Sequence, residues 1–245
     1  MESLGTGNGL SGRVEPHRRG HFPALNTGIL HGIGTKTPVN LNTKKHTCVA
    51  EALLARSDVR RLAHFASTSF AGFAPRLYSY YKDHLDPLYD HQPDLKRIFP
   101  ARLSVFPTAA FNFGPNAWTY KHRDVTNCAF GWCAIQALGD FDAEKGGHLV
   151  LWELKLVVEF PAGALVLLPS AVITHSNIPV AEGDKRMSFT QYAPGGLFRY
   201  VDHGFRLEKD LKKEDPELYQ DVLRLQPKRW EMGLGLLSMV EELQR

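Results

Sequence analysis

The sequence contains no apolar run approaching the ~18–20 residues needed to span a bilayer, and its N-terminus has no apolar signal-peptide core. This predicts a chain that stays inside the cell. Cysteine is scarce: three residues, an odd count, in a chain without export signals exclude a disulfide framework. No CxxC occurs, and Cys128 and Cys133 stand five apart, so a zinc ribbon is excluded as well. A strong charge of one sign is also missing. The 29 Lys+Arg and 26 Asp+Glu leave a net charge of +3, too little to announce nucleic-acid binding by itself. The distribution is uneven, however, with +6 over residues 1–103 and −3 over the rest. Such asymmetry suits a basic N-terminal section facing an anionic partner, although an unevenly charged solvated surface explains the count equally well.

Phosphate-binding loops are absent too. Gly5-Thr6-Gly7-Asn8-Gly9 follows no strand, and Gly32-Ile33-Gly34-Thr35-Lys36-Thr37 lacks the Gly-Lys-Ser/Thr ending. Both read as turns. With no internal repeat and no linker that divides the chain, residues 1–245 read as one domain.

What is present falls into four stretches. Residues 1–45 are rich in Gly, Asn, Thr and Pro without an apolar period and read as extended or loop structure. Residues 46–102 turn helical. Val49, Leu53 and Leu54 fit one short helix. A second has Asp58 as its N-cap and Leu62, Phe65, Ala66 and Phe70 on one face, with Arg56, Arg60 and Arg61 as a basic stripe. A third follows Pro75, with Leu77, Tyr81 and Leu85 four apart. Residues 103–206 change to short β-type runs with turn residues between them: Ser104–Phe113, Trp118–Asp124, Phe130–Leu138, His148–Trp152, Lys155–Phe160, Ala164–Leu168, Val172–Ile178 and Arg186–Ala193. That spacing predicts a jelly roll, a double-stranded β-helix. Residues 207–245 return to helix, near Lys209–Leu225 and Pro227–Leu243. The fold class is α+β, a jelly-roll core flanked by N- and C-terminal helices.

Within the β-type section one constellation carries chemistry. Residues i and i+2 of a strand share a face, so His122-Arg123-Asp124 aims an imidazole and a carboxylate at one point. His84-Leu85-Asp86 is the control: in a helix its two side chains lie about 200° apart and cannot chelate one ion. His175 follows 51 residues after Asp124, in a late β run, and Arg186 with Ser188 follows 11 residues later. Two histidines and a carboxylate form the facial triad of non-haem iron oxygenases, with positions left open for cosubstrate and O2. An Arg with a hydroxyl two residues on suits the far carboxylate of a dicarboxylate, which the guanidinium grips as a fork. Taken singly, His175 as a core histidine and Arg186 paired with Asp184 or Glu182 are the plainer readings. The compound spacing favours the site. A protein-kinase catalytic loop is excluded, because Ala129 stands where that motif needs Asn.

The block from Phe111 to Phe205 resembles the Fe(II)- and 2-oxoglutarate-dependent dioxygenases, and within them is similar to the TET/JBP-like family, in a branch abundant in mushroom-forming fungi. The match rests on Phe111-Asn112-Phe113-Gly114-Pro115, His122-Arg123-Asp124 with Asn127, and Gly131-Trp132-Cys133. It continues through Gly146-Gly147-His148-Leu149-Val150-Leu151-Trp152, Phe160-Pro161-Ala162-Gly163, Pro169-Ser170-Ala171 and His175-Ser176-Asn177. It closes on Arg186-Met187-Ser188-Phe189-Thr190-Gln191-Tyr192 and Gly195-Gly196-Leu197-Phe198-Arg199.

The resemblance implies Fe(II) on His122, Asp124 and His175, which are thereby the catalytic residues. It implies 2-oxoglutarate held by Arg186 and Ser188, with O2 as the oxidant. By analogy with AlkB-type enzymes, Asn112 touches the cosubstrate. Asn127 and His148 are candidates for the substrate side, against plainer roles as a turn residue and a structural histidine. Phe111, Phe113, Trp118 and Trp132 are core by default, and one or two of them are candidates to stack on a flipped base. The implied substrate is the methyl group of a DNA base, 5-methylcytosine first and N6-methyladenine second. The expected partner is methylated duplex DNA, reached by a monomer in the nucleus. Phosphate contacts are expected from Arg13, Arg18, Arg19, Lys44, Lys45, Arg56, Arg60 and Arg61. Two rival functions keep part of this pattern: a dioxygenase of a metabolite or protein side chain, and a silent module that binds modified DNA.

Overall fold

The computed structural model describes residues 1–10, 16–32 and 34–244. The chain opens on helix α1 (Glu2–Gly7) and strands β1 (Pro16–His17), β2 (Gly20–His21), β3 (Ala24–Leu30) and β4 (Val39–Asn40). Helices α2 (Thr47–Ala55), α3 (Ser57–Phe73) and α4 (Pro75–His91) follow. The β-rich part holds β5 (Thr108–Asn112), β6 (Cys133–Asp140), β7 (Leu149–Leu151), β8 (Leu156–Val158), β9 (Leu165–Leu168), β10 (His175–Asn177) and β11 (Lys185–Tyr192). Helices α5 (Gly195–Asp202), α6 (Glu208–Glu214), α7 (Pro216–Leu225), α8 (Arg229–Gly235) and α9 (Val240–Leu243) come last.

The strands pair antiparallel into a six-stranded sheet, β4-β3-β5-β11-β6-β9, and a three-stranded sheet, β10-β7-β8. With helices at both chain ends, this is the jelly-roll architecture that the strand spacing predicts. Alternation along β11 sorts the interior. Ser188, Thr190 and Tyr192 face the space between the sheets. Phe189 points the other way and packs with Phe111 of β5 and with Val59 and Ala63 of α3. Gln191, on that same outward face, donates from Nε2 to Ala63 O. Helix α3 therefore covers the back of the large sheet, and α4 packs against α3. Phe70 joins them, with its ring 5.1 Å from Tyr81 and stacked 5.4 Å from Phe106.

The helix readings need correction in detail. The buried stripe of α3 is Val59, Ala63, Ala66, Ser67 and Phe70, and Phe65 is 55% exposed. Phe65 lies one residue, about 100°, from Ala66 and so falls off the face that meets the sheet. Asp58 sits inside the first turn, where its Oδ1 accepts from Val59 N, and the capping position is Arg56. Beyond α5 the C-terminal segments are broken into shorter helices, with Pro216 starting α7 and Pro227 lying in the turn before α8. The control pair behaves as helical geometry demands. His84 Nε2 lies 3.0 Å from Asp202 Oδ1, while Asp86 Oδ1 accepts from Arg97 Nη2 at 2.6 Å.

Two larger corrections concern strands. Residues 1–45, read as extended or loop, include one strand of the main fold that the sequence reading does not separately identify: β3 is a seven-residue strand inside the large sheet, paired with β5 from Ala24↔Asn112 to Gly28↔Thr108. Gly28 interrupts its apolar pattern for a structural reason. It has φ +117, and a Cβ there would stand 2.2 Å from Pro107 O, so only glycine fits this crossing. Likewise Gly5 and Gly7 belong to α1 rather than to a turn, which starts at Asn8. Of the Gly32–Thr37 turn, Ile33 lies outside the described residues. The stretch Trp118–Asp124 is extended but, among the described residues, makes no ladder and one bridge, His122 to His175. Its amides are shared among separate partners: Tyr120 N donates to Arg19 O, His122 N to His175 O and Asp124 N to Ser170 O.

All three cysteines are free. Cys48 is exposed, while burial pushes the thiols of Cys128 and Cys133 up to about 12. A thiol is reactive as its anion and only where reagent reaches it. Iodoacetamide at neutral pH is expected to label Cys48 alone in the folded protein and all three after unfolding, counted by intact mass. Labelling of Cys128 or Cys133 under native conditions contradicts this packing. Among the described residues, no helix is long and apolar enough to cross a membrane.

Candidate metal centre and cosubstrate pocket

His122 and His175 are cross-strand neighbours. Each donates its backbone N–H to the other's carbonyl, at 3.0 and 2.9 Å, which brings the two ring centroids to 4.3 Å. Each imidazole also donates Nδ1–H to a carbonyl two residues back, His122 to Tyr120 O at 2.7 Å and His175 to Ile173 O at 2.9 Å. A carbonyl can only accept, so both rings carry a proton on Nδ1, which leaves Nε2 as the nitrogen turned toward Asp124. The Asp124 carboxylate completes the set: Oδ1 is 3.8 Å from His122 Nε2, and Oδ2 is 4.0 Å from His175 Nε2. The three ligand atoms lie within 4.8 Å of one another, and each side chain is less than a tenth exposed.

The donor chemistry fits a divalent transition metal. Two neutral imidazoles and one carboxylate gathered on one side of a point make a facial set. Carbonyls behind both histidines fix ring orientation, as outer partners of metal ligands do. Burial, and next the neighbouring His175, lower the His122 pKa to about 4, so protons do not compete for its Nε2 near neutrality. Asp124 Oδ1 is buried and has no hydrogen-bond partner. Arg19 Nη2 approaches it at 2.8 Å as an ion pair, without the angle of a hydrogen bond.

A second group lies on the inward face of β11. Ser188 pairs in register with Asn112 of β5, and Asn112 Nδ2 donates to Ser188 Oγ at 2.8 Å. Two residues along the strand, Arg186 is 1% exposed and donates from Nη1 to Ala117 O, while its Nε has no partner. Burial lowers its pKa to about 10, which leaves it charged at neutral pH. The rings of Phe141 and Phe160 lie 6.0 Å from its guanidinium carbon. The guanidinium is thus buried among aromatics with an unmet donor and, among the described residues, no acidic partner in an ion pair. Neither Asp184 nor Glu182 pairs with it. Such an environment fits the carboxylate of a bound ligand.

His122, Asp124, His175, Ser188 and Asn112 open into one cavity of about 1240 Å³ that runs from the space between the sheets out to the C-terminal helices, where Val222 and Trp230 line it. Its polar lining includes Asn26 of β3 and Asn127, and its aromatic lining includes Phe22, Phe130 and Phe198. Asn127 donates to Ser170 Oγ at 3.1 Å. His148 does not line this cavity; its Nδ1 is buried without a partner just before β7. The aromatics singled out in the sequence sit elsewhere. Phe111 and Phe113 are buried behind the large sheet, Trp132 packs near Phe70, and Trp118 stands edge-on to Tyr120. Of the basic residues, Arg18 and Arg19 line the cavity. Arg56, Arg60 and Arg61 ride on the helices behind the large sheet, on the face opposite the cavity, and Arg56 is paired with Asp58. Arg13 lies outside the described residues.

No protein-family model matches the chain, and no curated protein matches its sequence. Solved structures do match. NgTET1 in complex with 5mC DNA is similar with a TM-score of 0.57 and 16% identity, over 79% of this chain and 64% of that one. The chain thus spans somewhat less than two thirds of that structure. A 2OG-Fe(II) oxygenase family oxidoreductase from Burkholderia pseudomallei matches with a TM-score of 0.38 and 17% identity, over 77% of each chain. The likeness to NgTET1 is one of fold.

Reading the sequence missed Arg19 as a neighbour of Asp124 and missed Asn26 altogether. The signal for Asn26 was available in the alternation of Ala24–Leu30, where Leu25 and Thr27 are buried on one face, but Gly28 masks it. Nothing local to residues 16–21 announces that Arg19 reaches a residue more than 100 positions away.

Proposed function

We propose that this chain is an Fe(II)- and 2-oxoglutarate-dependent dioxygenase of the TET/JBP-like kind. Its proposed substrate is the methyl group of a modified DNA base, with 5-methylcytosine first and N6-methyladenine second. One observation carries the reading. A facial set of two neutral imidazoles and a carboxylate opens into the same cavity as Ser188, with the unmet, buried guanidinium of Arg186 two residues deeper on that strand face. The fold shared with NgTET1 supports it.

When bound, iron with 2-oxoglutarate and O2 supplies the oxidising power that turns a C–H bond into C–OH while releasing succinate and CO2. The chain's own part is placement. His122, Asp124 and His175 would hold the metal, at the wall of the cavity they line. Arg186 and Ser188 grip the far carboxylate of 2-oxoglutarate, and Asn112 holds the Ser188 hydroxyl from across the strand pair. The cavity is larger than the ~300–1,000 Å³ of a common small-ligand site, leaving room for a base beside the cosubstrate. The exposed ring of Trp230 on the cavity lining offers a surface for an extruded base, and Asn26 and Asn127 offer amides for its polar edge. Phosphates meet Arg18 and Arg19 at the mouth rather than the α3 stripe. Work in the nucleus is the corollary we propose for a DNA substrate.

The test is aerobic incubation with Fe(II), ascorbate and 2-oxoglutarate on duplexes carrying either 5-methylcytosine or N6-methyladenine. Nucleosides are read by mass spectrometry. Oxidised cytosine, or methyladenine lost with formaldehyde released, is expected and must be absent with His175→Ala. Both bases unchanged while other substrates turn over contradicts the DNA assignment.

A further inference from the structure

The β1–β2 hairpin, Pro16–His21, lies outside both jelly-roll sheets, yet it delivers a cation to a metal ligand. Its position is fixed by the segment that carries His122. Tyr120 N donates to Arg19 O at 2.8 Å, and the His21 and Tyr120 rings meet edge to face at 5.6 Å. A Cβ on Gly20 would stand 2.6 Å from Trp118 O, so the hairpin docks there only because residue 20 is glycine. From this platform Arg19 reaches 2.8 Å from Asp124 Oδ1. The two side chains differ sharply in exposure, 39% for Arg19 and 9% for Asp124. Arg19 is the solvent-side partner, with Arg18 exposed beside it on the cavity wall.

Charge decides what this pair can do. In the metal-free centre the Asp124 carboxylate is matched by Arg19, and the buried Arg186 adds a further positive charge. A divalent metal and doubly charged 2-oxoglutarate would cancel each other in turn. Loading both therefore leaves the net charge of the site unchanged, with one surplus positive charge in either state, and what changes is that the metal and Arg19 now share the Asp124 carboxylate. Arg19 is the cation free to move, because it is partly exposed and bound to Asp124 without hydrogen-bond geometry, whereas Arg186 is buried and tied to Ala117 O. A guanidinium and a metal ion sharing one small carboxylate repel each other in a site that screens charge poorly.

We propose that Arg19 is an exchange cation for this centre. It pairs with Asp124 in the metal-free protein, yields the carboxylate when a divalent metal binds, and then holds a phosphodiester of the substrate strand. The inference rests on the proposed function and adds a coupling to it. Metal loading creates the anion site, so metal and nucleic acid strengthen each other's binding by the same factor.

Titration calorimetry with Mn(II), with and without a short duplex carrying 5-methylcytosine, tests this without turnover. In wild type the duplex tightens Mn(II), and Mn(II) tightens the duplex equally. Arg19→Gln, with no cation to displace, binds Mn(II) on the order of tenfold more tightly in the absence of DNA and loses the coupling. Arg19→Lys keeps the charge and stays near wild type. Absence of mutual tightening in wild type overturns the proposal even if the Gln variant does not fold. Mn(II) affinity that is unchanged or weaker in Arg19→Gln also overturns it and makes Arg19 an orienting partner of the ligand. If wild type binds Mn(II) no better than His175→Ala, the metal centre itself fails, and the proposed function with it.

Discussion

Alanine in place of His175 or Asp124 is expected to abolish turnover and to weaken divalent-metal binding by more than ~100-fold. That exceeds the ~10–100-fold typical of losing an outer-shell partner, because a direct ligand is removed from a set of three. The structure makes these variants interpretable. His175 is fixed by its Nδ1 bond to Ile173 O and by the backbone pairing with His122, and that pairing survives truncation of the side chain. Asp124 keeps its backbone bond to Ser170 O. Folding, followed by circular dichroism, is expected to persist while Mn(II) calorimetry goes flat. Metal binding retained in either variant would remove that residue from the ligand set.

Arg186→Met is expected to raise the 2-oxoglutarate concentration needed for half-maximal turnover by roughly 10–150-fold. The loss of a charge-assisted, forked contact worth ~1.5–3 kcal/mol sets that range. Methionine fills most of the space, so packing against Phe141 and Phe160 is largely kept. The metal-free variant should be no less stable than wild type, because a buried charge without an acidic partner costs more than an apolar group of similar size. A thermal-shift series separates the two effects. 2-Oxoglutarate with Mn(II) raises the melting temperature of wild type and leaves that of Arg186→Met nearly unchanged, since only a ligand that binds the folded state stabilises it. Equal shifts in both would remove Arg186 from the cosubstrate pocket. Arg186→Lys, which keeps a charge but loses the planar fork, falls between them.

The candidate metal centre, as a cluster of side chains, was legible in the sequence because its geometry is local. His-x-Asp on an extended segment shares a face whether or not that segment joins a ladder, and His122 needs only one bridge, to His175. The Arg186–Ser188 face follows from period two along a strand paired with β6 from Lys185 to Gln191 and with β5 from Ser188 to Tyr192. Long-range placement was not legible. The basic stripe of Arg56, Arg60 and Arg61 looks as suitable for phosphate as Arg18 and Arg19 until the sheet's alternation puts α3 on the far side. Phe111 and Phe113 are aromatic residues one position from Asn112, and that single step turns them away from the cavity. Strand β3 escaped notice because Gly28 serves a backbone crossing rather than a turn. Arg19 shows the same limit from the other direction, a side chain whose role is set by a hairpin docking on Tyr120 and Gly20.

The most direct test of the central claim is the coupling between cosubstrate and substrate. Succinate released from 2-oxoglutarate is measured under air with Fe(II) and ascorbate, in the presence of methylated duplex, unmethylated duplex, or none. The account predicts succinate formation that depends on O2, rises with methylated DNA, matches the oxidised base mole for mole, and is absent in His175→Ala. Succinate formation that is indifferent to methylated DNA would contradict the substrate, and none under any condition would contradict the enzyme.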